Sequence, residues 1–383
     1  MGRRPGLPRP RSRDAPAARG AGARVVTGRV YPVAVVGGAG FVGSNLADSY
    51  LSEGLDVIVV DNLSRPGVER NLAWLCARHG DRVHPVIADV RNARATREAL
   101  ADAGAVFHLA AQVAVTTSIA DPVEDFEVNA RGTLNVLEAV RALKRRVPVV
   151  FASTNKVYGD LEALELAERG GMHLPRSAAI RTYGVSETWP LAFSTPYGCS
   201  KGVADQYVLD HAKTFRLPAT VLRMSCVYGP RQFGTEDQGW IAHFLIKALA
   251  DQPITVFGDG RQVRDLLYVA DAVAAYRTLL QRIDSVSGDA FNLGGGPANA
   301  VSLRMVLDEI ARLNGRPPAV SHEDWRAADQ LYFVADTRKL AAAAGWRPAV
   351  GWRSGLGLLR AWLSDPEAEA GRSDAARARV AQA

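Results

Sequence analysis

Cysteine is scarce in this chain. Its 383 residues hold three, Cys76, Cys199 and Cys226, an odd number with no CxxC pair. That excludes a disulfide framework, offers no zinc-ligand spacing, and fits a reducing cytoplasm. No bound metal is expected. Long hydrophobic runs are missing too. None reaches the roughly 18 residues that span a bilayer, so no membrane helix and no membrane partner is expected. The N-terminus is basic but lacks the apolar stretch of a secretory signal. No segment repeats at a fixed period. Even the positive charge is thinner than it looks. The formal net charge is +6, but residues 1–30 hold eight arginines against one aspartate. The rest of the chain is therefore close to neutral, and no folded basic face is expected to hold nucleic acid. The Pro/Gly/Ala/Arg-rich stretch 1–30 reads as a disordered tail, either an over-extended start or a weak contact arm.

What is present is apolar material in short pieces. Hydrophobic residues make up 48% of the chain, enough for a large α/β domain and a smaller companion. After Tyr31, the run Pro32–Val36 leads into GGAGFVGSN and a helix through about Glu53. DVIVVD (56–61), a strand at 83–87, AVFHLA (105–110) and PVVFAS (148–153) then alternate with helices near 69–78, 94–102 and 121–143. Unbroken apolar strands alternating with helices predict a parallel sheet covered on both faces. Asp121 and Pro122 suit the cap and first turn of the 121–143 helix, and Gly132 within it suits close packing. Residues 161–195 look like an insertion of weak periodicity. A helix at 197–215 and a strand at 219–224 follow. Beyond 225, loops rich in Gly, Gln and Arg alternate with helices at 238–250, 270–282, 302–313 and 352–363. The expected organisation is a Rossmann-like doubly wound domain over 31–224. A smaller substrate-binding lobe over 225–365 is interleaved with it, and a flexible end covers 366–383.

Gly37, Gly40 and Gly43 form GxxGxxG directly after the first strand and open the first helix. Such a loop turns tightly, lets a pyrophosphate approach the backbone, and aims the helix N-terminus at the phosphates. Asp61 ends the second strand, 18 residues after Gly43. A carboxylate there accepts from both ribose hydroxyls and repels a 2′-phosphate, which favours NAD over NADP; nearby Arg65 is the contrary sign. Asp89 follows the third strand, where an acid meets an adenine amino group or is simply a surface residue.

Tyr197 and Lys201 make the only YxxxK in the chain. On a helix this spacing puts both on one face. An ammonium near the phenol lowers its pKa from about 10, so that Tyr197 can take a proton from a substrate hydroxyl. Ser153 and Thr154 end the fifth strand, where a hydroxyl can bond the reacting oxygen or merely cap a turn. Asn155 and Lys156 come next. A nucleotide-sugar 4,6-dehydratase needs an acid and a carboxylate there to eliminate water, so that chemistry is excluded.

Together these residues resemble a known family. GGAGFVGSN, VDNLS, HLAAQVAVTTSI, GTLNVLEAVR, STNKVYGDLE, PYGCSKGVADQY, YGPRQFGTEDQGW and GDGRQVRD run across about residues 31–363. They resemble the extended short-chain dehydrogenases of the NAD-dependent epimerase/dehydratase family, and within them the CDP-paratose 2-epimerase (CDP-tyvelose epimerase) group. The glycine loop and YxxxK mark only the superfamily; AQVAVTTSI, STNKVYGDLE and RQFGTEDQGW are narrower. The resemblance implies an isomerase that inverts C2 of a CDP-linked hexose. Tyr197 would deprotonate the C2 hydroxyl while the C2 hydride passes to bound NAD and returns to the other face of the keto sugar. Thr154 matches the family's catalytic threonine.

The resemblance also implies a set of contacts. Gly37, Phe41, Val42, Asp61, Asn62, Asp89, Val90, Leu109, Ala111, Gln112, Tyr197 and Lys201 would hold NAD, with Gly40, Gly43 and Ser153 beside them. Val115–Ser118, and so Thr116 and Thr117, would face the sugar. Gln232, Gln238, Trp240, Gln262 and Arg264 would contact the nucleotide sugar, and Arg326 would aim a charge-assisted fork at its diphosphate. Helices 121–143 and 197–215 would pair in a homodimer or homotetramer. Plainer readings stand beside some of these. Arg264 could pair with Asp265, Arg223 could cap a helix, Trp240 could be core, and His108 reads as a satisfied core histidine. The chain departs from the family's pattern in its tail, in 161–195, and in Trp325-Arg326-Ala327-Ala328-Asp329. The alternatives are a nucleotide-sugar 4-epimerase, an NAD(P)-dependent reductase on the same fold, or a non-catalytic dinucleotide sensor. A sensor has no need of Thr154, Tyr197 and Lys201 together.

Overall fold

The computed structural model describes residues 25–26, 29–326 and 328–365. Most of the tail expected over 1–30, and all of the end expected over 366–383, lie outside the described residues. A small hairpin, Val25–Val26 with Arg29–Val30, brings regular structure further back than Tyr31.

Seven parallel strands form the main sheet. Their order across it is Ala290–Leu293, Ala219–Met224, Val149–Thr154, Ala105–His108, Val33–Val36, Val57–Asp61 and Val83–Ile87. Val33–Val36 and Val149–Thr154 are buried at every position, because helices cover both faces. One core layer gathers Leu46, Tyr50, Leu72 and Tyr276; the other gathers Leu137, Val140, Ala204 and Val208. Strand order reverses direction between Val33–Val36 and Ala105–His108. A crevice opens at such a switch, at the carboxyl ends of the strands, and the glycine loop, Asp61, Leu109 and Thr154 all lie at those ends.

The helix expected over 121–143 begins as read: Asp121 accepts from the Glu124 N–H at 2.9 Å and Pro122 opens the first turn. It carries a π turn, Glu127–Arg131, between Pro122–Phe126 and Gly132–Ala142. The later helices also fall where the periodicity put them, at Trp240–Leu249, Val269–Gln281, Leu303–Asn314 and Trp352–Leu363. No described helix is long and apolar enough to cross a membrane.

Two expectations need correction. Residues 161–195 are not a loose insertion. They hold a hairpin, Leu166–Arg169 with Met172–Pro175, and a helix, Ala178–Tyr183. Leu161, Leu164 and Val185 share a core with Tyr332, Phe333 and Val334. The stretch after 225 is also richer in strands than expected. Val263–Tyr268 pairs with Cys226–Tyr228, Ala300–Ser302 and Tyr332–Phe333, while Ile254–Phe257 pairs with Val320–Glu323. Ala290–Leu293 returns to the main sheet as its seventh strand. Arg264 and Asp265 interrupt the apolar run of Val263–Tyr268, so it lacks the unbroken pattern of the main sheet's strands.

Candidate active site

Two cavities lie along the switch point and share Val113, Asp237 and Gln238 in their walls. The first is a cleft of about 540 Å³. It is lined by Gly37, Gly40, Phe41, Val42, Gly43, Asp61, Asn62, Asp89, Val90, Leu109, Ala111 and Gln112, all expected there. A Cβ on Gly37, which has φ +81°, would fall 2.5 Å from the Ala110 nitrogen; a Cβ on Gly43 would overlap the Gly37 carbonyl oxygen. Only glycine lets the strand, the turn and the helix pack this closely. Helix Phe41–Leu51 starts at Gly40 without a side-chain cap, so its first N–H groups are available to an anion.

Asp61 accepts from the Ala39 N–H at 3.1 Å and the Leu63 N–H at 2.9 Å. Burial raises its pKa against those backbone bonds. Arg65 lines the same cleft, and burial lowers its pKa. Asp89 also lines the cleft, but its oxygens accept from Arg91 at 2.9 and 2.7 Å and from Asn62 Nδ2 at 2.8 Å. The Arg91 guanidinium holds its carboxyl down at about 2. Gln112 is tied to the π turn and to the helix before it: its N–H donates to Asn129 Oδ1 at 2.9 Å, and its Nε2 to Asp125 Oδ1 at 3.0 Å. An uncapped helix end with a half-buried carboxylate beside it, on one cleft, fits the pyrophosphate and ribose of a dinucleotide.

The second cavity, about 380 Å³, is lined by Thr154, Tyr197, Thr116, Gln238, Trp240, Gln262, Arg264 and Arg326, as expected. Thr154 ends its strand, and Tyr197 comes from the first turn of helix Thr195–Thr214. Burial pushes the Tyr197 phenol up to about 12; a hydrogen bond with Thr154 opposes this and Asp125 adds to it. Lys201, one turn along, is buried, donates to the Ala152 carbonyl at 2.7 Å, and stands 4.2 Å from the centre of the Phe151 ring. Burial lowers its ammonium to about 7, against the pull of Asp205 and Asp125. The expectation that Lys201 brings the phenol below its ordinary pKa is therefore not met by the protein's own groups. Burial acts on both residues and moves each toward its neutral form.

Other expected residues lie elsewhere. Ser153 faces away from Thr154, as strand neighbours do, and its hydroxyl donates to Asp205 Oδ2 at 2.7 Å. Lys201 and Ser153 line neither cavity, Tyr197 lines the second rather than the first, and Thr117 lines the first. Gln232 lines a small separate pocket with Arg65 and Asn71. Arg264 pairs with Asp329 at 2.6 Å and not with Asp265, which accepts instead from the Gly296 and Ala335 N–H groups. Arg223 is not a helix cap; it pairs with Asp205. Trp240 lines the wall and donates to Cys226 Sγ at 3.0 Å. His108 is core: Nε2 bonds the Thr133 hydroxyl at 3.0 Å, and burial lowers its pKa to about 3. Its Nδ1 has no partner among the described residues.

Arg326 lies over the Phe257 ring, 3.9 Å from its centre, and pairs with Glu236 at 3.0 Å and Asp237 at 3.4 Å. Lys156 and Asp329 join these carboxylates in the cavity wall, and none of the four was expected there. Lys156 had a signal, its place two residues after Thr154. Its Nζ donates to the Ala328 carbonyl at 2.9 Å, and burial lowers its pKa to about 8. Asn155 donates to Gln330 Oε1 at 2.9 Å. Neither offers the acid and carboxylate that water elimination requires.

A doubly wound sheet with a glycine loop on its first strand, and Thr, Tyr and Lys gathered beside its switch point, defines a dinucleotide-dependent enzyme of the short-chain dehydrogenase class. Known proteins narrow this. A family described as "NAD dependent epimerase/dehydratase family" matches residues 33–294. The CDP-paratose 2-epimerase of Salmonella typhi is 42% identical over 343 residues, 86% of this chain and 98% of that protein. Among solved structures, the UDP-glucose 4-epimerase of Thermotoga maritima with UDP-glucose has a TM-score of 0.74 at 28% identity, covering 87% of this chain and 98% of that one. The UDP-glucose 4-epimerase of Thermus thermophilus in complex with NAD has a TM-score of 0.71 at 32% identity, covering 86% and 98%. The chain belongs to the NAD-dependent epimerase/dehydratase family, and NAD is its cofactor.

Proposed function

We propose that this enzyme inverts C2 of a CDP-linked hexose, with the nucleotide sugar in the 380 Å³ cavity and NAD in the 540 Å³ cleft. The observation that carries this is the pair Asn155 and Lys156 after Thr154, both bonded to residues 328–330. It argues against dehydration within the family's repertoire and is compatible with epimerisation, which needs no such pair. The likeness to the Salmonella typhi CDP-paratose 2-epimerase supports C2 and a CDP sugar.

Tyr197 takes the proton from the reacting hydroxyl and returns it to the same oxygen, with Thr154 orienting that oxygen. Lys201 ties the Tyr197 helix to the strand that ends in Thr154. When bound, oxidised NAD supplies a reversible hydride acceptor and a positive charge that favours the phenolate. Gly37, Gly40 and Gly43 take its pyrophosphate and Asp61 a ribose. Arg264 and Arg326 take the sugar's diphosphate, and Arg326 exchanges Glu236 and Asp237 for it. We further propose a cytoplasmic homodimer. Val123, Phe126, Tyr207 and Phe215, exposed on the two helices expected to pair, support it.

The likeness to two UDP-glucose 4-epimerases favours a second reading, inversion at C4. Incubating the protein with CDP-linked hexoses in heavy water, followed by NMR, separates the readings. Inversion at C2 with no solvent deuterium at that carbon is expected. Deuterium at the inverted carbon would mean proton abstraction and overturn the mechanism. No turnover of CDP sugars, with inversion of UDP sugars at C4, would establish the second reading.

A further inference from the structure

We infer that Asp205 is a positioning residue for this reaction: its buried carboxylate opposes the loss of charge on Lys201 and fixes the Thr154 strand to the Tyr197 helix. The inference rests on the roles proposed for Tyr197 and Thr154. Tyr197, Lys201 and Asp205 are spaced four residues apart on helix Thr195–Thr214, so they share one face. Asp205 is fully buried. Its Oδ2 accepts from Ser153 Oγ at 2.7 Å and Arg223 Nε at 2.9 Å. Its Oδ1 accepts from Arg223 Nη2 and Gln206 Nε2, each at 2.9 Å. The strand is thus stitched to the helix at adjacent residues, Ala152 through Lys201 and Ser153 through Asp205, immediately before Thr154.

Charge balance makes the carboxylate more than a strut. The groups acting on Lys201 are Asp205 on its own helix and Asp125 on Pro122–Phe126. His108, on the Ala105–His108 strand, is held neutral, and the Phe151 ring adds a cation–π contact. Tyr197 shares the helix face and is held protonated. Arg223, on Ala219–Met224, competes for the same carboxylate and also donates to the Tyr158 hydroxyl at 3.1 Å. The core therefore holds two cations against two carboxylates. Arginine does not give up its proton inside a protein, but a buried lysine does. If Asp205 loses its charge, the imbalance must fall on Lys201.

The test is Asp205→Asn in the NAD-loaded protein. Asparagine removes the charge and keeps one acceptor oxygen for Ser153 and Arg223 Nε, while its amide nitrogen no longer accepts from Arg223 Nη2 and Gln206 Nε2. The chain has six lysines, so 13Cε-lysine NMR resolves them, with Lys201 assigned through Lys201→Met. The Lys201 midpoint is expected to fall by about one pH unit or more, and the alkaline limb of turnover to move down with it. Arg223→Gln should move the midpoint the other way, because it frees Asp205 to serve Lys201 alone. An unchanged midpoint in folded Asp205→Asn overturns the inference. If that variant does not fold, Arg223→Gln decides, and a midpoint that stays or falls overturns it. The titration is read without any sugar, so it stands or falls separately from the choice of substrate.

Discussion

The cleft over the glycine loop takes its shape from backbone. Gly37 and Gly43 leave no room for a Cβ, and Asp61 is held by two main-chain N–H groups. The cavity beside it is lined by side chains that pair across the chain, Arg264 with Asp329 and Arg326 with Glu236 and Asp237. The difference follows from what each region holds. A backbone surface suits one cofactor in one pose and tolerates little change. A surface of paired charges makes an incoming diphosphate compete with carboxylates already in place, so it sets affinity and choice of substrate.

The largest effect should separate the two regions outright. Tyr197→Phe keeps the ring in its buried place and removes the proton acceptor. Turnover is expected to fall about 1,000-fold, while bound NAD, measured by extraction and absorbance, and the melting temperature stay unchanged. Loss of NAD in this variant would break the division, by showing that the phenol holds the cofactor as well as the substrate.

A smaller effect tests the charge competition. Arg326→Ala should raise KM for the nucleotide sugar by roughly 10- to 100-fold, the worth of one hydrogen-bonded charge. Glu236→Gln should lower KM a few-fold, because it releases the arginine to the diphosphate. Steady-state kinetics with bound NAD held constant reads both. Opposite signs sharpen the comparison. A rise in KM for both would mean that Glu236 orders the arginine for binding and does not hold it back.

The same contrast explains what could be read from sequence. The glycine loop, Asp61, Tyr197 and Lys201 are local patterns attached to predictable elements, and the structure brings them to the switch point. Strand phase was not readable, so only the resemblance separated Thr154 from Ser153, although one faces the cavity and the other Asp205. Burial was not readable either, and it sets the titration of Tyr197 and Lys201 more strongly than their spacing does. The charge pairs join residues 65 and 90 positions apart. No local signal marks them, and only the resemblance pointed to Arg264 and Arg326. The hairpin inside 161–195 escaped for a plainer reason, since its strands, LAER and MHLP, lack the unbroken apolar runs of the main sheet.

The smallest effect probes the cleft from behind. Gly132 follows the π turn, and alanine in a helix is favoured over glycine by about 1 kcal/mol. Here the added Cβ would fall 2.6 Å from Val90 Cγ2. Val90 is β-branched and buried, so its methyl cannot turn aside cheaply. Its carbonyl also accepts from Asn135 Nδ2 at 2.8 Å, which resists a backbone shift. Overpacking of this kind costs about 1–3 kcal/mol, so it outweighs the helical gain. Gly132→Ala should therefore lower the melting temperature by about 2 °C. Because Val90 lines the cleft, NAD should bind a few-fold more weakly by titration, with KM for the sugar unchanged. A rise in KM with unchanged NAD affinity would show the opposite coupling. The π turn would then act on the cavity through Asn129, which donates to the Ser200 hydroxyl at 3.0 Å on the helix that carries Tyr197.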